Sequence, residues 1–157
     1  MASALIADDS RSRPTGELRS FTPETVARGG LAPWQARRVR DQVEARLGAA
    51  VRVEDFAAIA GLSPRYFSRA FKVSFGLTPH AYVTWRRIER AKVLMLQTDE
   101  GLSQIALACG LADQAHLSRL FRQEVGVSPS VWRRAKRAAL RGGGSGAGRM
   151  LVTARPS

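Results

Sequence analysis

The 157-residue sequence contains one cysteine and two histidines, so it has no internal disulfide and no His/Cys cluster with the spacing of a zinc site. A lone Cys109 fits a reducing compartment. Long apolar runs are missing as well. No window approaches the ~18 apolar residues of a membrane span, and "MASALIADDS" lacks the basic start and apolar stretch of a secretory signal. These absences argue against a secreted disulfide scaffold, a zinc protein and a membrane protein, and they predict a cytoplasmic chain. Acidic side chains are scarce too, 13 against 25 Lys and Arg, for a net charge of +12 and a pI near 11.5. The first partner to consider is therefore a polyanion.

The excess charge is not spread evenly. Residues 1–32 are neutral, with four basic and four acidic side chains, whereas 33–97 hold 12 basic against 5 acidic and 98–141 hold 7 against 4. The part with folding signals is thus the basic part. Residues 1–32 mix Ser, Thr, Pro and Gly without a sustained period and read as a flexible leader. The stretch "RGGGSGAGRMLVTARPS" makes 142–157 read as a disordered Gly-rich tail.

Between these ends the pattern is helical, with no alternating Val/Ile/Thr run bounded by hairpin turns. Pro33 opens a first helix carrying Val39, Val43 and Leu47 at i, i+4, i+8 and running to Gly48. A short helix around "EDFAAIA" follows, closed by Gly61. Ser63-Pro64 then caps and opens a helix to Phe75, with Gly76 as its stop. Thr78-Pro79 repeats the signal and opens a helix of about 19 residues, roughly 28 Å long, to about Gln97.

The second half copies the first. A short helix around "SQIALA" ends at Gly110, another runs from about Gln114 to Val125 and stops at Gly126, and Ser128-Pro129 opens a last helix to about residue 140. At an offset of 50, Ser63 falls on Asp113, Phe67 on Leu117, Arg69 on Arg119, Phe71 on Phe121, Gly76 on Gly126 and Pro79 on Pro129. The predicted fold is all-α: seven helices forming two helix-turn-helix subdomains, about 53–75 and about 102–125, joined by a long central helix, about 79–97.

A helix-turn-helix sends its second helix into the major groove of DNA, so that helix needs one buried and one polar face. In the first copy Phe67, Ala70, Phe71 and Phe75 form an apolar stripe, leaving Arg65, Ser68, Arg69 and Lys72 on the other side. In the second copy Leu117, Leu120, Phe121 and Val125 are apolar, and Ala115, Ser118, Arg119 and Arg122 face outward, with Gln114 at the helix start. Arg suits bidentate bonding to guanine and Gln to adenine, while Ser and Lys suit phosphates; Lys72, Ser118 and Arg122 are accordingly assigned to phosphates.

The segments "LACGLADQAHLSRLFRQEVGVSPSVWRR" and "AGLSPRYFSRAFKVSFGLTPHAYVTWRRIERAKVLML" closely resemble the AraC/XylS family of bacterial transcription regulators over about residues 33–137. The resemblance implies a DNA-binding domain over 33–141, two recognition helices in successive major-groove faces of one asymmetric promoter site, and an activator that contacts RNA polymerase. It places base readers at Arg65, Ser68 and Arg69 in the first subdomain and at Gln114, Ala115, His116 and Arg119 in the second. Ala115 departs from a position often polar in the family, which leaves a methyl contact with thymine. Most family members also carry a separate effector or dimerisation domain. This sequence has 32 residues in its place, so either a member that is little more than the DNA-binding unit or a truncated or shortened member is expected, with no cofactor and no small-molecule effector site.

The remaining conspicuous residues have structural readings. Cys109, just before a turn glycine, is expected in the core. Trp85 and Trp132 are expected to pack, Trp34 to anchor the start of the first helix, and His80 to lie at the surface. His116 suits a DNA contact or a border position at the turn equally well. An alkylation-repair enzyme, which can carry a similar helical module, needs a reactive cysteine, usually with a four-cysteine zinc site, and the single Cys109 at a core position argues against it. A nonspecific or architectural DNA binder is the competing non-enzymatic reading, since charge alone would suffice for it.

Overall fold

Four helices open on proline at their first turn, where the fixed φ is already helical and the missing N–H costs no hydrogen bond. The computed structural model describes residues 28–142, which contain seven α-helices and, among the described residues, no strand. They are α1 (Pro33–Ala45), α2 (Val53–Ala60), α3 (Pro64–Phe75), α4 (Pro79–Gln97), α5 (Leu102–Ala108), α6 (Gln114–Val125) and α7 (Pro129–Gly142). The expected leader, apart from its last five residues, and the expected Gly-rich tail, apart from Gly142, lie outside the described residues.

Two apolar cores result. Ala36, Val39 and Val43 of α1 pack with Phe56, Phe67, Phe71, Tyr82 and Val83 in the first. Ile88, Ala91 and Met95 pack with Ile105, Cys109, Leu117 and Phe121 in the second. Helix α4 serves both, its first half closing one core and its second half opening the other. The buried spacing of α1 (three residues, then four) recurs in the second half of α4. The molecule is therefore two four-helix units, α1–α4 and α4–α7, that share a helix. Full burial of each of the four core phenylalanines, Phe56, Phe67, Phe71 and Phe121, contributes about 1.5–3 kcal/mol.

The duplication extends into the packing. Phe71 meets Tyr82 edge-on at 5.5 Å and 72°, and Phe121 meets Trp132 at 5.6 Å and 69°. Arg87 of α4 donates to the carbonyls of Leu47 (3.0 Å) and Ala49 (2.7 Å) just past α1. Its counterpart at an offset of 50, Arg137 of α7, donates to the carbonyls of Met95 and Thr98 at the end of α4 and to Asp99. Arg133 reinforces that end with bonds to Met95, Thr98 and Glu100. In both units an arginine from the last helix bonds carbonyls at or just past the end of the first.

Three expectations need correction. Trp34 does not anchor α1, since about half of its surface is exposed. The anchor is Gln35, whose side-chain oxygen accepts from the Ala32 N–H (2.8 Å) while its amide donates to the Ala60 carbonyl (2.7 Å). Leu31 also lies in the core, and its N–H donates to Ser74 Oγ (2.7 Å), so packing begins ahead of residue 33. Helix α1 ends at Ala45 rather than at Gly48, because the chain turns at Arg46 to bring Leu47 into the core. Trp85 and Trp132 pack as expected, against Tyr82 and Phe121. Cys109 is fully buried, and His80 is exposed.

Candidate nucleic-acid interface

The turns that aim α3 and α6 are built alike. Gly61 and Gly110 adopt left-handed φ values of 68° and 73°, which only glycine takes without strain. The next N–H in each case reaches back to the preceding helix, Leu62 to the Ala57 carbonyl and Leu111 to the Ala106 carbonyl, both at 2.9 Å. Ser63 Oγ then accepts from the Tyr66 N–H to cap α3, and Asp113 Oδ1 accepts from the His116 N–H at 2.7 Å to cap α6. With Phe67 and Phe71, or Leu117 and Phe121, fixed in the cores, the opposite faces of α3 and α6 point to solvent.

On α3, Arg65, Arg69 and Lys72 are exposed and form no ion pair among the described residues. Ser68 is partly buried and donates to the Pro64 carbonyl at 2.9 Å, so its hydroxyl keeps only acceptor capacity. On α6, Gln114, Ala115, Arg119 and Arg122 are exposed and Ser118 is partly buried. The Gln114 oxygen accepts from Ser103 Oγ (3.1 Å), which turns its amide into the available donor. His116 is partly buried, with Nδ1 accepting from the Ala112 N–H (3.3 Å), so its ring closes the turn and leaves Nε2 as the remaining polar atom.

These outward cations differ from the structural ones. Arg46 pairs with Asp55, Arg86 with Glu44 and Arg137 with Asp99, while Arg133 bonds backbone carbonyls through all three of its nitrogens and Arg87 does so through Nε and Nη2. The hydrogen bond from Arg86 to Glu44 raises the Arg86 pKa further, holding it charged, and the guanidinium also lies 5.2 Å over the Trp85 ring. Arg65, Arg69, Lys72, Arg119 and Arg122 are left with their donors available to an external anion.

One exposed residue escaped the sequence reading. Tyr66, about half exposed, sits between Arg65 and Phe67 on the first turn of α3 and is the counterpart of His116 at an offset of 50. Its place outside the 67/70/71 apolar stripe is the signal that marks it as outward-facing. No group of three or more potential metal ligands exists among the described residues, and no helix among them is long and apolar enough to cross a membrane.

The geometry agrees with what known proteins show. A model of a helix-turn-helix domain matches residues 56–135, about half of the chain. The chain belongs to the AraC-type helix-turn-helix family. Within that family it is 38% identical over 98 residues to the transcriptional activator RhaS of Escherichia fergusonii, covering 62% of this chain and 35% of the relative. It is 34% identical over 92 residues to the probable transcriptional regulator LumQ of Photobacterium leiognathi, covering 59% and 37%. The chain thus spans about a third of the length of the curated relatives it matches.

Among solved structures, the AraC-type DNA-binding domain of AdpA, crystallised with a target DNA, superposes with a TM-score of 0.62 at 31% identity, over 67% of this chain and 94% of that one. An AraC-type regulator from Chromobacterium violaceum gives a TM-score of 0.62 at 32% identity, over 66% and 92%. These AraC-type relatives are transcription regulators and DNA-binding domains rather than enzymes.

Proposed function

We propose that this AraC-type domain acts in a sequence-specific transcription regulator, an activator that contacts RNA polymerase, and that one chain reads an asymmetric double-stranded site with α3 and α6. The observation that carries this reading is the pair of outward faces on equivalent helices, each holding cations without an ion-pair partner among the described residues. The crystallised complex of AdpA with a target DNA supports DNA as the polyanion, and the activator RhaS supports positive regulation.

Arg65 and Arg69 read bases in one half-site, while Gln114, Ala115 and Arg119 read them in the other, with His116 Nε2 at its edge. Ser68 contributes as an acceptor. Lys72, Ser118, Arg122 and the Tyr66 hydroxyl hold phosphates. The 19-residue α4, about 28 Å long, sets the separation of the two helices near one turn of DNA. Their sequences differ, "PRYFSRAFK" against "QAHLSRLFR", which makes the site asymmetric.

Site selection from random duplexes followed by a spacing series tests this. Insertion of about half a helical turn, roughly 5 base pairs, between the selected half-sites should abolish high-affinity binding. Unchanged affinity, or a palindromic preference with two chains bound, defeats the one-chain reading. Near-equal affinity for selected and random duplex at one stated salt concentration favours a nonspecific binder instead.

A further inference from the structure

Where the two units meet they enclose a cleft of about 600 Å³, within the range of small-molecule sites. Val53 of α2 and Val83 of α4 line it from the first unit, and Leu107 of α5 from the second. Leu107 keeps 56% of its surface exposed, a large apolar side chain left uncovered beside other apolar groups. Among the described residues the polar lining is His80, Thr84, Arg87 and His116, with no carboxylate.

Arg87 gives the cleft its chemistry. It spends one Nε–H and one Nη2–H on the carbonyls of Leu47 and Ala49, leaving three of its five N–H donors without a partner among the described residues. Both acceptors are neutral, and among the described residues no carboxylate pairs with it. Burial pulls its pKa down from the ordinary arginine value, the mark of a partly desolvated cation lacking a counter-ion. An anion would relieve that deficit, and a purely polar anion such as a DNA phosphate would leave the apolar walls uncovered.

We propose that this cleft is a binding site for a small organic anion with an apolar tail, a medium-chain carboxylate in chemical class, its head group on Arg87 and its tail against Val53, Val83 and Leu107. The carboxylate accepts the fork of N–H donors that Arg87 has left, and the methylene chain covers the exposed leucine.

Calorimetry and amide chemical-shift titration of the full chain without DNA provide the test, with hexanoate, octanoate and decanoate as probes below micelle-forming concentrations. Saturable binding of one molecule per chain is expected. Affinity should rise with chain length, by up to roughly fourfold for each methylene buried, and the shifts should centre on Val53, Val83 and Leu107. Leu107→Glu, a change at an exposed position that keeps the fold, should cut decanoate affinity at least tenfold by setting a carboxylate beside the tail and head-group site. Arg87→Lys should weaken it by losing the fork, although Arg87 also braces the seam, so the Leu107 variant carries the decision. Decanol should bind far more weakly than decanoate, and inorganic sulfate should not displace it. Absence of saturation, binding indifferent to Leu107→Glu, equal binding of decanol, or ready displacement by sulfate each overturns the proposal. Because the titrations contain no DNA, their failure is separable from failure of the DNA-reading proposal.

Discussion

The α-carbon of Gly110 lies against the carbonyl oxygen of Leu47, so close that a methyl group placed on Gly110 would drive into that oxygen. The same methyl would stand 3.0 Å from Arg87 Nη2 and 3.1 Å from the Gly48 carbonyl carbon. The turn of the second helix-turn-helix is thus packed directly on the end of the first unit's opening helix, with Arg87 bridging them. This contact ties the turn between α5 and α6 to the first unit.

Gly110→Ala should therefore cost about 2–4 kcal/mol, through left-handed strain plus displacement of backbone that cannot move aside. Gly126→Ala, at φ 88° with open space around it, carries only the conformational part, about 1–2 kcal/mol. Urea unfolding of both variants checks the difference. Equal losses would mean that the seam yields freely.

Arg69→Ala and Arg119→Ala should each relax base preference in a different half of the DNA site, at a cost of about 1–3 kcal/mol if each makes a bidentate contact. Lys72→Ala should weaken selected and random duplexes alike and flatten the salt dependence. Competition binding against single-base variants of the selected site distinguishes the two behaviours. A uniform loss across all sequences for both arginines would assign them to the backbone.

Cys109 should react with thiol reagents only when the second unit opens. It is fully buried, and burial pushes its thiol pKa up, which lowers the thiolate fraction. Alkylation followed along a urea titration should track unfolding of the α4–α7 core, and fast labelling in native buffer would contradict the packing around Ile105 and Leu117.

Asp99 makes the α4–α7 junction sensitive to acid. The hydrogen bond from Arg137 and its charge hold the Asp99 carboxyl below the usual aspartate range. A lowered folded-state pKa contributes stability that is present above the unfolded-state value and lost as pH falls through the folded one. Asp99 is fully exposed, so the effect is small and salt-screened. Thermal melts of the wild type and Asp99→Asn should differ near neutral pH and converge in acid.

Most of the fold was legible locally. The prolines at 33, 64, 79 and 129, the caps at Ser63, Thr78 and Asp113 and the stops at Gly76 and Gly126 act within a turn of the chain, and the Phe67/Ala70/Phe71 stripe follows from helical period alone. The twofold pattern was visible for the same reason, as each copy repeats its local signals. Trp34 was misjudged because neighbouring sequence does not say what covers a side chain.

The sequence by itself determined seven helices, two matched turns, two apolar stripes and a basic excess, all of which follow from spacing and residue type. Tertiary structure alone decided which arginines remain for a partner. Arg69 and Arg119 face solvent, whereas the chemically identical Arg133 and Arg137 are consumed by carbonyls 33 to 42 residues away. It also decided that Gly110, unlike Gly61 or Gly126, meets another backbone, and that Val53, Val83 and Leu107 share one cleft. Caps and stripes depend on groups within one turn of chain, while the fate of a cation, a glycine or a cavity wall depends on what the folded chain brings back to it from a distance.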